Sequence, residues 1–366
     1  MSRKKTAFLA AGIMAAVLLA ALAGLLVLRS DWFAEKLRAA VISAIETGTG
    51  GRAEIGSIQA DWSRLRIELR QFVLHGTEPA GKPPLIRADS VALGLKVTSW
   101  LRRDFDVRYL DVQAPQVNLI VDPGGRTNIP EPKVKRHSEQ TAFETLIDFA
   151  VGRFSLLNGV FQVEGRTPTP FDLRGRNLGA RFVFESAGSR YLGNLSVQPL
   201  DLRWDGQTQL PLGVQMAVAI EKNRIGVSSA RLSTGGSTLE FSGVVDNLVA
   251  PRASFRYQAR AAAADLGRLF GIRGLDRGAV QMDGTADWTG VTDYSVSGAF
   301  RASGVQYRQL ALAFGNARVA GSLRATPKGV DLTGVHLAAD VGQAASRVGV
   351  ESRVATAAWR GRDFVM

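Results

Sequence analysis

Apolar and polar residues alternate along this chain in three rhythms, each predicting a different kind of element. The first is no alternation at all: Ala7 to Leu28 is a run of 22 residues without a charge. As a helix rising about 1.5 Å per residue it is long enough for the ~30 Å hydrocarbon core of a bilayer. The second rhythm is helical. Between Asp31 and Thr47, Phe33, Leu37, Val41, Ala44 and Ile45 recur at spacings that put them on one face. Ser30 or Asp31 is the expected cap, and Gly48, Gly50 and Gly51 are the expected end. The stripe fits either the outer-leaflet boundary or the end of the next domain. The second is preferred, because strands follow directly and need a lid.

From Arg52 the period falls to two. Leu65, Ile67 and Leu69 alternate with arginine and glutamate. Val91, Leu93, Leu95 and Val97 do the same, then Val117, Leu119 and Val121, closed by the turn Asp122-Pro123-Gly124-Gly125. Pro130 to Gln140 is polar, charged and proline-bearing, a loop or linker. Phe143–Ala150 and residues 262–270 are short helix candidates. Strand patterns resume at Phe161 and Val163, and continue through Phe171 and Leu173, Phe182 and Phe184, Leu239 and Phe241, and Val296 and Phe300. A weak repeat links Val107, Leu110, Val112, Pro115, Val117 and Leu119 to Val151, Phe154, Leu156, Gly159, Phe161 and Val163, 44 residues on without a gap. The expected fold is mainly β. It comprises a transmembrane helix, an amphipathic helix, and an elongated, curled, groove-like antiparallel sheet of roughly 20 strands. The units expected are 1–29 (cytoplasmic tip and anchor), 30–130 (helix plus sheet), 131–150 (linker and short helix) and 151–366 (repetitive β-rich region).

Flanking charge orients the apolar run. Arg3, Lys4 and Lys5 precede it, so that end stays in the cytoplasm and the rest of the chain is delivered across the membrane. Ala21-Leu22-Ala23 has the form of a signal-peptidase site, but the apolar run continues past it to Leu28, which favours an uncleaved anchor. Cysteine is absent, excluding disulfides, thiol catalysis and thiolate metal sites. The net charge of +12 is scattered, fitting solvated strand faces or lipid headgroups; nucleic acid is not an expected partner beyond a membrane anchor. No catalytic grouping, cofactor loop or metal set is visible. His75, His137 and His336 stand far apart, Gly48-Thr49-Gly50-Gly51 lacks the lysine of a phosphate loop, and Asp122 reads as a turn cap. The chain is not expected to be an enzyme.

The ordered set of a basic N-terminus, one anchor, a glycine-ended amphipathic helix, then IQADWSRLRIELRQFVLHG, LIRADSVALGLKV and VRYLDVQAPQVNLIVDPGGRTNIP resembles the N-terminal region of AsmA-like proteins. That group includes AsmA and TamB and is related to chorein-type bridge lipid transfer proteins. The resemblance covers residues 1–130 and extends in style through FSLLNGVFQVEG and LSTGGSTLEFSGVVDN. It implies a single-pass protein of the bacterial inner membrane, a periplasmic β-rich groove, and phospholipid movement toward the outer membrane or maintenance of that membrane. The chain ends without an evident closing element, as in a short member or an incomplete reading frame. Leu65, Ile67, Leu69, Val91, Leu93, Leu95, Val117 and Leu119 are the expected groove-facing residues. The alternatives are a scaffold assisting outer-membrane β-barrel proteins and a closed sandwich without cargo. Phe161, Phe171, Phe182, Phe184 and Phe241 fit a groove lining and a sandwich core equally.

Overall fold

The computed structural model describes residues 30–95, 107–124, 126–131, 151–166, 170–204, 207–208, 211–248, 250–270, 272–290, 293–309, 312–341, 348–360 and 363–365. The apolar run Ala7–Leu28, Val97, most of the linker and the short helix expected over Phe143–Ala150 lie outside them. Among the described residues no helix is long and apolar enough to cross a membrane.

Helix α1 (Asp31–Thr49) starts where expected, with the Ser30 hydroxyl accepting a hydrogen bond from the Phe33 amide at 3.2 Å. It ends two residues later than expected. Gly48 is helical, and Gly50 supplies the stop, at φ 78° with its amide on the Glu46 carbonyl. The Glu46 carboxylate then accepts from the Ala53 amide at 3.0 Å, pinning the helix end to the first strand.

The strands follow as β1 (Arg52–Asp61), β2 (Arg66–His75), β3 (Ile86–Leu95), β4 (Val107–Gln113), β5 (Gln116–Val121) and β6 (Arg153–Gly165). Next come β7 (Phe171–Glu185), β8 (Arg190–Trp204), β9 (Gln207–Thr208), β10 (Leu212–Glu221), β11 (Arg224–Thr234), β12 (Ser237–Asp246) and β13 (Arg252–Ala262). After helix α2 (Ala263–Phe270) come β14 (Leu275–Gly290), β15 (Asp293–Gln309), β16 (Leu312–Thr326), β17 (Gly329–Val341), β18 (Val348–Arg360) and β19 (Asp363–Val365). All belong to one sheet. With β4 and β5 forming one line, and β9 and β19 only stubs, the segments make 16 full strands.

Spatial order follows sequence order almost throughout, each strand hydrogen-bonding antiparallel to the one before it. The exception is one parallel step, where β6 lies beside β4 and β5. There Tyr109 faces Arg153, Gln116 faces Val160 and Val121 faces Gly165, a constant offset of 44. The sequence repeat and the sheet register are therefore the same number: the two copies lie side by side with equivalent positions paired. The strands before residue 131 and after residue 150 thus belong to one sheet through the β4–β6 and β5–β6 pairings.

A row of backbone irregularities crosses the first half of the sheet. Gln71, Ala114, Asn158 and Asn177 all take positive φ, between 46° and 55°. They lie at neighbouring breaks in the ladder, in line with Gly56 on β1 and the cis Gln198-Pro199 bond on β8. Each break offsets side-chain parity, so apolar positions step by three or five there (Ile55 to Ile58, Leu69 to Phe72, Val112 to Val117, Leu156 to Phe161) and return to the same face.

Glycines opposite aromatics are a second recurring device. Gly94 pairs with Tyr109, Gly175 with Phe161, Gly193 with Phe182 and Gly243 with Phe255. At Gly175 a Cβ would come within 2.1 Å of the Phe161 ring, so the ring lies directly over the neighbouring backbone.

Helix α2 sits where residues 262–270 predicted it and is tied down by Asp265, which is only 4% exposed. Its carboxylate accepts from the Gly236 amide (3.0 Å), the Ser237 hydroxyl (2.6 Å) and the Arg268 guanidinium (2.5 Å), joining the helix to the β11–β12 turn. Burial pushes this carboxyl up, but the hydrogen bonds from Ser237 and Gly236 and the Arg268 charge outweigh it and hold the pKa below its usual value. A lowered carboxyl pKa means that its stabilisation is complete above the unfolded value, near 3.9, and is lost as pH falls through the lower folded value. Asp265→Ala is expected to cost about 2 kcal/mol at pH 7. Thermal melts across pH should show that deficit shrinking as the medium is acidified below the unfolded carboxyl pKa.

Candidate functional site

Directly paired residues on neighbouring antiparallel strands point to the same face, so the register sorts the side chains of the whole sheet into two sets. One set is apolar from end to end. It begins with Ala53, Ile55 and Ile58 on β1, opposite Leu74, Phe72 and Leu69 on β2. It continues through Leu110 and Phe154, Phe182, Leu195 and Met216. Phe241, Phe255, Met282, Phe300 and Leu323 extend it, and Leu332 lies on the same side of β17. The opposite set is arginine, aspartate, glutamate, glutamine, asparagine and serine, with few apolar members.

Cover differs along this apolar face. Over β1 to β3 the helix lies on it: Ala34, Leu37, Val41, Ile42 and Ile45 of α1 pack on Ile55, Ile58 and Leu69. Ile55 is 1% exposed, among the most deeply buried side chains of the protein. Phe33 meets Trp62 edge-on at 5.8 Å at the other end of the helix. From β4 to β10 a second cluster forms within the sheet, around Val151, Ala180, Phe182 and Tyr191. Beyond β10 no further cluster of buried residues forms among the described residues. There β13 and β14 read alternately exposed and half-buried, with hardly a position fully buried. Among the described residues, the fully buried apolar side chains on β10 to β17 are Val214, Val227, Ala230, Tyr257, Ala317 and Ala339. A second sheet packed over this face would bury the whole inner row. Phe241 and Phe255, ring centroids 5.4 Å apart, pack against each other instead and stay half-buried.

The residues expected to line a groove divide in the same way. Ile67, Leu69 and Val91 lie in the cluster under α1, covered by the chain's own helix. Leu93, paired with Ile67 and Leu110, and Val117 and Leu119, paired with Phe161 and Val163, share the same face. Leu95 pairs with Val107 across a register shift. Leu65 is not in a strand: it is a turn residue at φ 49° whose carbonyl accepts from the Leu95 amide. The five phenylalanines of the expected stripe all fall on the apolar face. Sequence reading missed most of the later members, such as Leu195, Met216, Phe255 and Met282, because interposed glycines and alanines blur the alternation within each strand.

The polar face is laced with short-range ion pairs, among them Arg66–Glu68–Arg70 (3.0 Å each), Arg174–Asp172 (2.7 Å) and Arg231–Glu240 (2.5 Å). The arginines of these pairs are solvated strand residues with a neighbouring acid, each pair contributing little to stability. Both described cavities open on this face, the larger about 870 Å³ across β7 to β13 and the smaller about 540 Å³ across β5 to β8. Asp122 caps its turn, accepting from the Gly124 and Arg126 amides at 2.8 and 2.9 Å. Among the described residues no group of three or more His, Asp or Glu side chains is placed to hold a metal. Comparison with protein-family models gives no match, and comparison with curated proteins gives none either.

Proposed function

We propose that the apolar face left open beyond β10 receives the acyl chains of phospholipid, and that the chain is a tethered conduit moving phospholipid from the bacterial inner membrane toward the outer membrane. In this reading Ala7–Leu28 is the single-pass anchor, Arg3, Lys4 and Lys5 stay in the cytoplasm, and the sheet stands in the periplasm. The observation that carries the reading is the continuity of one apolar face across consecutive strands, with the α1 helix packed on it over β1 to β3 and no cluster of buried residues beyond β10 among the described residues. An acyl methylene exposed to water costs about 0.8 kcal/mol, so a path of apolar side chains removes on the order of 10 kcal/mol for one chain in transit. Such a surface needs no bond-making groups. The ordered likeness of residues 1–130 to AsmA-like proteins points the same way. The aligned breaks through Gln71, Ala114, Asn158 and Asn177 supply the bending by which a sheet curls around a cargo.

The test is lipid extraction and mass spectrometry on the full chain purified in mild detergent. Stoichiometric phospholipid is the expected result. A folded sample that repeatedly carries none overturns the reading, and one that carries a β-barrel protein instead favours the assembly scaffold.

A further inference from the structure

The lipid reading leaves the larger cavity unused, because it lies on the other side of the sheet. Two polar-face residues from nearly every strand between β7 and β13 line it, together with the residue between them on each strand, such as Ala180, Leu195, Met216 and Phe241. Its volume, about 870 Å³, falls within the range of ligand sites. Three arginines reach it. Arg231 is neutralised by Glu240 across the β11–β12 pair, at 2.5 Å. Arg181 on β7 and Arg256 on β13 are exposed and form no ion pair among the described residues. The smaller cavity holds a single such arginine, Arg203, since its Arg174 and Arg176 are held by Asp172 and Asp201.

Arg181 and Arg256 lie on one cross-strand row that passes through Asn194, Ala217, the Ser228–Ser229 bulge and Ser242. Five strand steps at about 4.8 Å separate them by roughly 24 Å. Between these two guanidinium groups stand neutral amides and hydroxyls, with Gln215 and Gln258 in the parallel row. The floor is kept low by Gly179, Ala217 and the serines. No aromatic ring faces this side of the cavity, because Phe241 and Tyr257 project to the apolar face, so the stacking platform of a single-stranded nucleic-acid groove is missing.

We propose that this trough binds an anionic polysaccharide laid across the strands. Its carboxylates would be held bidentately by Arg181 and Arg256, and its hydroxyls by the amide and serine side chains between them. The inference is independent of the lipid reading, which concerns the opposite face.

The experiment uses the full chain in detergent, with a polygalacturonate oligosaccharide as the acidic probe and dextran as the neutral one, followed by calorimetry at two salt concentrations. The expected result is binding of polygalacturonate and not of dextran. Arg181→Gln with Arg256→Gln should weaken it at least tenfold, and so should Ser229→Trp, which fills the trough without changing charge. Arg64→Gln with Arg126→Gln removes the same charge elsewhere and should change affinity less than twofold. Equal loss in both double variants means general attraction to a basic protein and overturns the proposal. Retained binding in Ser229→Trp, absence of binding by the parent chain, or equal binding of dextran overturns it as well.

Discussion

Replacing Leu239 and Val296 together by glutamate is expected to strip phospholipid from the protein while leaving it folded. Both residues lie on the apolar face beyond β10, where no cluster of buried residues forms among the described residues, and both are half-buried. A glutamate there can turn its carboxylate toward water, so the cost to folding stays near that of a surface change, and the melting temperature should move by only a few degrees. An acyl chain on the same surface would have to lie against two charges, and bound phospholipid should fall at least about tenfold. In a closed sandwich the same pair of charges would be buried without partners and the domain would unfold. Lipid content per folded protein, measured beside the melting curve, separates the two.

The second large effect is at the covered end. Ile55→Ala removes a side chain that is 1% exposed and seated against the α1 residues of its cluster. The loss should be about 2–5 kcal/mol, as for other deeply buried aliphatic side chains. It should fall on the docking of α1, because Ile55 joins the helix to the sheet. The protein has no cysteine, so a single thiol introduced at Ile42 is a clean reporter. It should react slowly in the parent and many times faster when Ile55 is also alanine. Equal rates would mean that α1 is held by something other than this contact.

Much of the fold is legible in the sequence wherever a strand keeps strict alternation. Ile67 and Leu69, Val91 and Leu93, and Val117 and Leu119 all declare their face. The helical stripe of Leu37, Val41 and Ile45 meets that face as a lid should. The breaks are where local reading fails. Gln71, Ala114 and Asn158 each interrupt the count, and only the partner strand restores it, which is a property of the ladder and not of the segment. Leu65 illustrates the boundary problem: it fits the period of β2 but is the turn residue before it. Gly48 looked like a helix stop beside Gly50, yet only the second glycine is left-handed. The repeat offset of 44 carried more than its weak similarity suggested, since it is the register of a parallel pair. Composition and spacing give no hint of the trough between Arg181 and Arg256, because the residues that build it come one or two from each of several strands.

Two adjacent residues on β13 report directly on whether the open apolar face carries lipid. A photoreactive phenylalanine analogue is placed at Phe255, on the apolar face, or at Ser254, on the polar face, and the protein is irradiated in intact cells. A phospholipid adduct is expected by mass spectrometry from position 255 and none from position 254. No lipid adduct at 255, or equal adducts at both positions, would contradict it.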